Sequence, residues 1–254
     1  MPARLALGLL GLMLALPAVA ADYVALPGGT FTSVLPADGK AAPAQVAPFR
    51  LRTELVTNGE FLAFVKKHPE WQRDKVASIL ADARYLTQWG HPAALGDTAL
   101  PRQPVTRVSW FAAQAYCESE NARLPSWYEW EYAAAADATR RDARADPAWR
   151  ESILGWYSRP SSAALPEVGG IANAYGIRDI NGVVWEWVDD FNALMVASDS
   201  REQGDPDLLK FCGAGAISLQ EKENYAVLMR IAMLSALKAA NTTNNMGFRC
   251  AKSE

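Results

Sequence analysis

Apolar and polar positions along the chain change period several times, and each change predicts an element. Residues 23–26 and 30–34 read as short strands on either side of the turn Pro27-Gly28-Gly29, and residues 45–52 read as a third strand. Thr57-x-x-Glu60 stands directly before Phe61, Leu62, Phe64 and Val65, a capping box that predicts a helix over about 58–68. Ser109 starts a second helix through Asn121, and Ser126-x-x-Glu129 caps a third that runs through the alanines to about Asp137. Asp146-Pro147 opens a fourth, because Asp caps well and Pro fits the first helical position. Beyond residue 157 the helical period is lost and turn residues alternate with short aromatic runs, although Tyr225, Met229, Met233 and Leu237 fit an apolar helix stripe.

The first twenty residues follow a different logic. Arg4 supplies a charged start, residues 5–16 are apolar, and Ala18-Val19-Ala20 is a small-residue cleavage signal, so the mature chain is expected to begin at Ala21. The apolar run is shorter than the roughly 20 residues that span a bilayer, and Pro17 ends it. A periplasmic or secreted location without stable membrane insertion after cleavage is the expectation, in a compartment where disulfides persist. The rest of the chain contains no internal repeat and is read as one domain, residues 21–254.

Composition narrows the chemistry. Half of the 254 residues are hydrophobic and 21% are charged, which is the balance of a globular chain. A net charge of −3 supplies no field for gathering phosphates, so nucleic acid is not an expected partner. Nine Trp, 17 Gly and 15 Pro point to a loop-rich fold tied by large rings. The two histidines, His68 and His91, are too few for a three-imidazole metal site, and both precede a proline in turn-like contexts. Asp189-Asp190 and the acidic residues of 199–202 lack the spacing of a catalytic dyad and read as solvated loop charge. Trp127, Tyr128, Trp130 and Tyr132 follow a helix cap and read mostly as core.

Three segments are more specific: PVTRVSWFAAQAYCESENARLPSWYEWEYAA at 104–134, NAYGIRDINGVVWEW at 173–187 and NMGFRCA at 245–251. With ALPGGTF at 25–31 and ELVTNGEFLAFVKKHPEW at 54–71, they resemble the formylglycine-generating enzyme, or sulfatase-modifying factor, family over the whole mature chain. The resemblance implies an α+β fold: a single irregular, C-type-lectin-like domain with little regular secondary structure.

It also implies site residues. Cys117 and Cys250 match the family's buried disulfide, and a bridge closing so long a loop is worth on the order of 5 kcal/mol in the chain-entropy model. Asp179, Gly182, Val184 and Glu186 match a calcium-wrapping segment that uses two side-chain oxygens and two carbonyls; the alternative for Glu186 is a cap or salt bridge beside a core Trp. Trp185, Tyr225 and Arg230 are cleft candidates. The family's copper(I) is held by two cysteines, and at their positions this chain has Ser218 and Ala226, neither of which can bind copper(I) as a thiolate. The remaining thiol, Cys212, lies in the stretch Cys-Gly-Ala-Gly-Ala. It is either a buried inert thiol or a catalytic candidate, one that could still hold copper with help from Met229 or Met233.

The resemblance leaves two functions as expectations. The first is an exported accessory or maturation factor that holds a periplasmic client, for example a copper enzyme, and is not itself a sulfatase-activating oxidase. The second is an oxidoreductase acting on a small molecule or peptide through Cys212 or a bound metal.

Overall fold

The computed structural model describes residues 21–33, 43–157, 164–192 and 225–254. The leader, Cys212 and Ser218 therefore lie outside the described residues. The fold mixes short strands and helices around one main apolar core, with a satellite cluster of Leu55, Val168 and Val184.

Strands β1 (Tyr23–Leu26), β4 (Phe49–Arg52) and β7 (Ala251–Ser253) form an antiparallel sheet in that order, so the first and last described segments meet on β4. Its register sets Tyr23 opposite Arg52 and Leu51 opposite Ala251. Strands β2 (Gly29–Phe31) and β3 (Ala44–Val46) make a separate pair. The single strand expected over 45–52 is thus two strands in two sheets. Pro48 has no N–H to give to a ladder, and the chain changes sheet at Ala47-Pro48. The strand expected over 30–34 ends at Phe31, and Val34 lies outside the described residues.

Helix α1 (Asn58–Lys67) starts at a complete Thr57–Glu60 capping box, and α3 (Trp127–Ala134) at a complete Ser126–Glu129 box. Ser109 accepts from the Ala112 amide to start α2 (Trp110–Ser119). Two ends fall short of the expected ones for local reasons. Asn121 takes φ +53°, which closes α2 before it. The Asp137 carboxylate accepts from the Thr139 and Arg140 amides and turns the chain just beyond α3. Helix α4 (Pro147–Tyr157) begins at the expected proline. A fifth helix, α5 (Tyr225–Ser235), occupies the apolar stripe in the stretch where the period otherwise fails.

Strands β5 (Trp185–Glu186) and β6 (Met246–Gly247) pair in parallel at the centre. A Cβ on Gly247 would sit 2.9 Å from the Val105 carbonyl, so only glycine lets β6 lie this close. The disulfide Cys117–Cys250 joins α2 to the residue before β7, with Cα atoms 5.5 Å apart and both cysteines fully buried. Among the described residues, no helix is long and apolar enough to cross a membrane.

Candidate functional site

The segment 179–187 and the terminal Gly-Phe-Arg-Cys run come together across β5 and β6. Arg249 and Glu186 are both wholly buried and face each other in a fork: Nε donates to Oε2 at 2.7 Å and Nη2 to Oε1 at 3.0 Å. The remaining guanidinium hydrogens go to the carbonyls of Arg52, Thr53 and Arg178. Every donor of Arg249 is thereby used, which is the condition for keeping a guanidinium in a dry interior. The sequence signal for this role was an arginine inside the apolar run NMGFRCA, yet only the fold shows that its partner lies 63 residues earlier.

Asp179, with φ +59°, turns its carboxylate onto two successive amides, those of Gly169 at 2.8 Å and Gly170 at 3.1 Å. A Cβ on Gly170 would meet that carboxylate at 2.5 Å, so the glycine permits the contact. Gly182, at φ +106°, makes the turn that follows, and Val184 packs in the satellite cluster. The four residues matched to a calcium segment are close in sequence, but their two carboxylates are already engaged, one by backbone amides and the other by a buried cation. A divalent ion beside Glu186 would have to share its oxygens with Arg249 at like-charge cost, so the residues as placed do not fit calcium. Among the described residues no group of three or more His, Cys, Asp or Glu is arranged to hold a metal.

Trp185 is half-buried, and its ring packs against Trp156 of α4 with centroids 5.3 Å apart. Arg230 turns inward instead of lining a cleft. It is buried in the middle of α5, lies 3.4 Å from the Trp130 ring centroid and donates to the Glu186 carbonyl. Tyr225 and Ala226 begin α5, and their side chains lie outside the described residues.

Asp190 also differs from the solvated charge expected of it. It is half-buried, and its Oδ1 accepts from the Trp127 amide at the start of α3 at 2.7 Å. Burial pushes its carboxyl above the ordinary aspartate value, with Asp189 and Glu129 adding repulsion and the Trp127 amide opposing. The histidines stay apart. His68 stacks on Phe64 and approaches Glu70 at 3.5 Å, and His91 lies in an exposed turn where Nδ1 accepts from the Ala93 amide.

Copper(I) bound by two thiolates does not fit either. Two of the three cysteines in the sequence are spent in a buried disulfide, which leaves Cys212 alone.

Residues 14–254 match the family described as the sulfatase-modifying factor enzyme 1-like domain. Over 90% of the chain and 88% of the relative, it is 29% identical to a formylglycine-generating enzyme of Streptomyces coelicolor. It is 29% identical to the inactive C-alpha-formylglycine-generating enzyme 2 of Mus musculus, over 91% of the chain and 85% of the relative. Identity to a hercynine oxygenase of Mycolicibacterium smegmatis is 30%, over 67% of the chain but only 46% of that longer protein.

Proposed function

The chain belongs to the sulfatase-modifying factor family, and we propose that it is an exported member that works by holding a client, not by oxidising a sulfatase cysteine. One observation carries the reading: of three cysteines, Cys117 and Cys250 are locked in a buried disulfide, so no pair of thiols is left to hold copper(I). With two histidines, the chain cannot assemble a three-imidazole metal site either. A relative that is itself named inactive supports a non-oxidising role for the fold. The client is a periplasmic protein, with a copper enzyme as the leading class, and it is bound on the face that carries Trp185 and Trp156. The competing reading, an oxidoreductase of a small molecule or peptide built on Cys212, predicts a bound metal or a turnover that Cys212→Ser abolishes.

One experiment separates them. The mature protein is incubated with a sulfatase-type peptide, copper(I) and oxygen, and the peptide mass is followed alongside metal analysis of the wild type and Cys212→Ser. The expected result is an unchanged peptide thiol and the same metal content in both proteins. Conversion of the cysteine to the aldehyde would overturn the proposal.

A further inference from the structure

The dipeptide Asn-Gly occurs at 58–59 and again at 181–182, and the fold treats the two copies in opposite ways. Asparagine before glycine is the context in which a backbone amide most readily attacks the side-chain carboxamide, because no Cβ shields the glycine nitrogen. At Asn58–Gly59 every group that this reaction needs is held. Asn58 is 3% exposed and lies in the first turn of α1. Its Nδ2 donates to the Leu100 carbonyl at 3.1 Å, its Oδ1 accepts from the Trp89 indole at 3.0 Å, and the Gly59 amide donates to the Pro101 carbonyl at 2.9 Å. A Cβ on Gly59 would stand only 3.2 Å from that carbonyl oxygen, so the backbone here is packed as well as bonded.

Asn181–Gly182 is open by comparison. Asn181 is half-buried in the turn between Asp179 and β5, and one hydrogen bond holds its side chain: Nδ2 donates to the Ala134 carbonyl at 2.9 Å. Among the described residues its Oδ1 accepts from nothing and the Gly182 amide has no acceptor. A Cβ on Gly182 would touch nothing nearer than the Trp156 ring at 4.0 Å. The attacking nitrogen and the carboxamide it attacks thus lie in a turn, outside any helix or strand.

We infer that Asn181 is a self-modification site of the folded protein, converted by its own backbone to an aspartyl or isoaspartyl residue, and that Asn58 is not. In this step the Gly182 amide nitrogen loses its proton and bonds to Asn181 Cγ, the bond from Cγ to Nδ2 breaks, and ammonia leaves. Water then opens the cyclic imide at either carbonyl. One water is consumed and one ammonia released, with no oxidant or reductant. The consequence follows from the partner that the amide loses. Asn173 and Asn181 donate to the carbonyls of Ala133 and Ala134, at the negative end of α3. A carboxylate at 181 removes one of these donors and sets a like charge against the helix end. The isoaspartyl form also lengthens the backbone by one carbon, between the Asp179 turn and the β5 residues Trp185 and Glu186. The modification therefore loosens the junction of α3 and β5, whether or not the chain holds a client.

The test follows both asparagines in one sample. The folded, disulfide-bonded protein and the reduced, denatured chain are kept in mildly alkaline buffer, and peptide mapping with isoaspartyl methyltransferase locates and counts each conversion. In the denatured chain the two sites should convert at similar rates. In the folded protein Asn181 should convert at least about tenfold faster than Asn58, which must wait for local opening. Equal rates in the folded protein, a faster Asn58, or no conversion at 181 while the denatured chain reacts would each overturn the inference. A preference of that size already present in the denatured chain would assign it to the flanking sequence and overturn it as well. At neutral pH, Asn181→Asp should lower the melting temperature by roughly 2–4 °C, and Asn181→Ala, which loses the donor without gaining a charge, should lower it less. An Asn181→Asp protein as stable as wild type would refute the loosening.

Discussion

Two arginine–carboxylate groupings in this molecule look alike as geometry and differ in meaning. Arg249 with Glu186 is wholly buried where β5 and β6 meet the end of β4, and each guanidinium hydrogen has a protein acceptor. Arg140 with Asp137 and Asp146 lies in an exposed loop after α3, with the Arg140 side chain about half open to water. Burial decides what each one does. In water the charges are screened and the pair adds little, whereas in the interior the pair is needed because either member left alone would be an uncompensated charge. The buried grouping ties β5 and the segment after β6 to the end of β4, and the exposed one only trims a turn.

Breaking the buried pair gives the largest expected effect. Glu186→Ala leaves the Arg249 guanidinium without its counter-charge and should cost about 3–5 kcal/mol, read from chemical denaturation. Arg249→Met with Glu186→Leu should recover part of that loss. The recovery is incomplete because the carbonyls of Arg52, Thr53 and Arg178 lose their donor. Any difference in melting temperature between calcium and chelator should be the same in wild type and in Glu186→Gln. A rise of several degrees in calcium that Glu186→Gln abolishes would show that a cation shares Glu186, and would break the comparison.

Next in size is the disulfide. Cys117→Ser should lower stability by about 2–5 kcal/mol, since the bridge closes a separation of 133 residues. Non-reducing peptide mapping should recover Cys117 with Cys250, and Cys212 in a bridge as the major species would contradict the thiol count behind the proposed function.

What the sequence made legible follows the same division between local and distant causes. The caps at Thr57, Ser109 and Ser126 and the Asp146-Pro147 start were readable because each is decided within four residues. The break at Pro48 was missed because the apolar run continues through it and only sheet membership changes. The family resemblance makes Glu186 either a calcium ligand or a salt-bridge partner beside a core Trp; the structure shows the salt bridge, with a partner that arrives through β5–β6 pairing that no local pattern encodes. Arg230 follows the same rule: the resemblance makes it a cleft candidate, and its inward stacking on Trp130, a hundred residues earlier, depends on the fold.

Asp190 lies between the two extremes and sharpens the comparison. Its folded carboxyl is raised by burial first, so the folded state holds the proton to a higher pH than the unfolded chain does. The stability this supplies is present at low pH and falls as pH rises from the ordinary aspartate value through the raised one. Asp190→Asn keeps an oxygen to accept from the Trp127 amide and removes the desolvated charge. It should flatten that part of the stability–pH curve and raise stability above it by no more than about 1 kcal/mol. A variant that is less stable than wild type at neutral pH would show that the charge–dipole contact with α3 outweighs burial.

The smallest effect belongs to the exposed grouping. Hydrogen bonds from Arg140 first, and from the Thr139 and Arg140 amides, hold the Asp137 carboxyl below its ordinary value. A depressed carboxylate contributes stability above its unfolded value and loses it as pH falls through the folded one, so any contribution from Asp137 should vanish in acid. Because Arg140 is bathed in solvent and its charge screened, Arg140→Ala should leave the denaturation midpoint at neutral pH unchanged within error in ordinary salt. The part of the interaction that does not depend on Arg140, the backbone amides closing the turn, should survive the substitution. The residual pH dependence should then disappear in Asp137→Ala and persist in Arg140→Ala. A large loss in Arg140→Ala would mean that the exposed cluster behaves like the buried one, and that exposure is a poor guide to which of this protein's arginines matter.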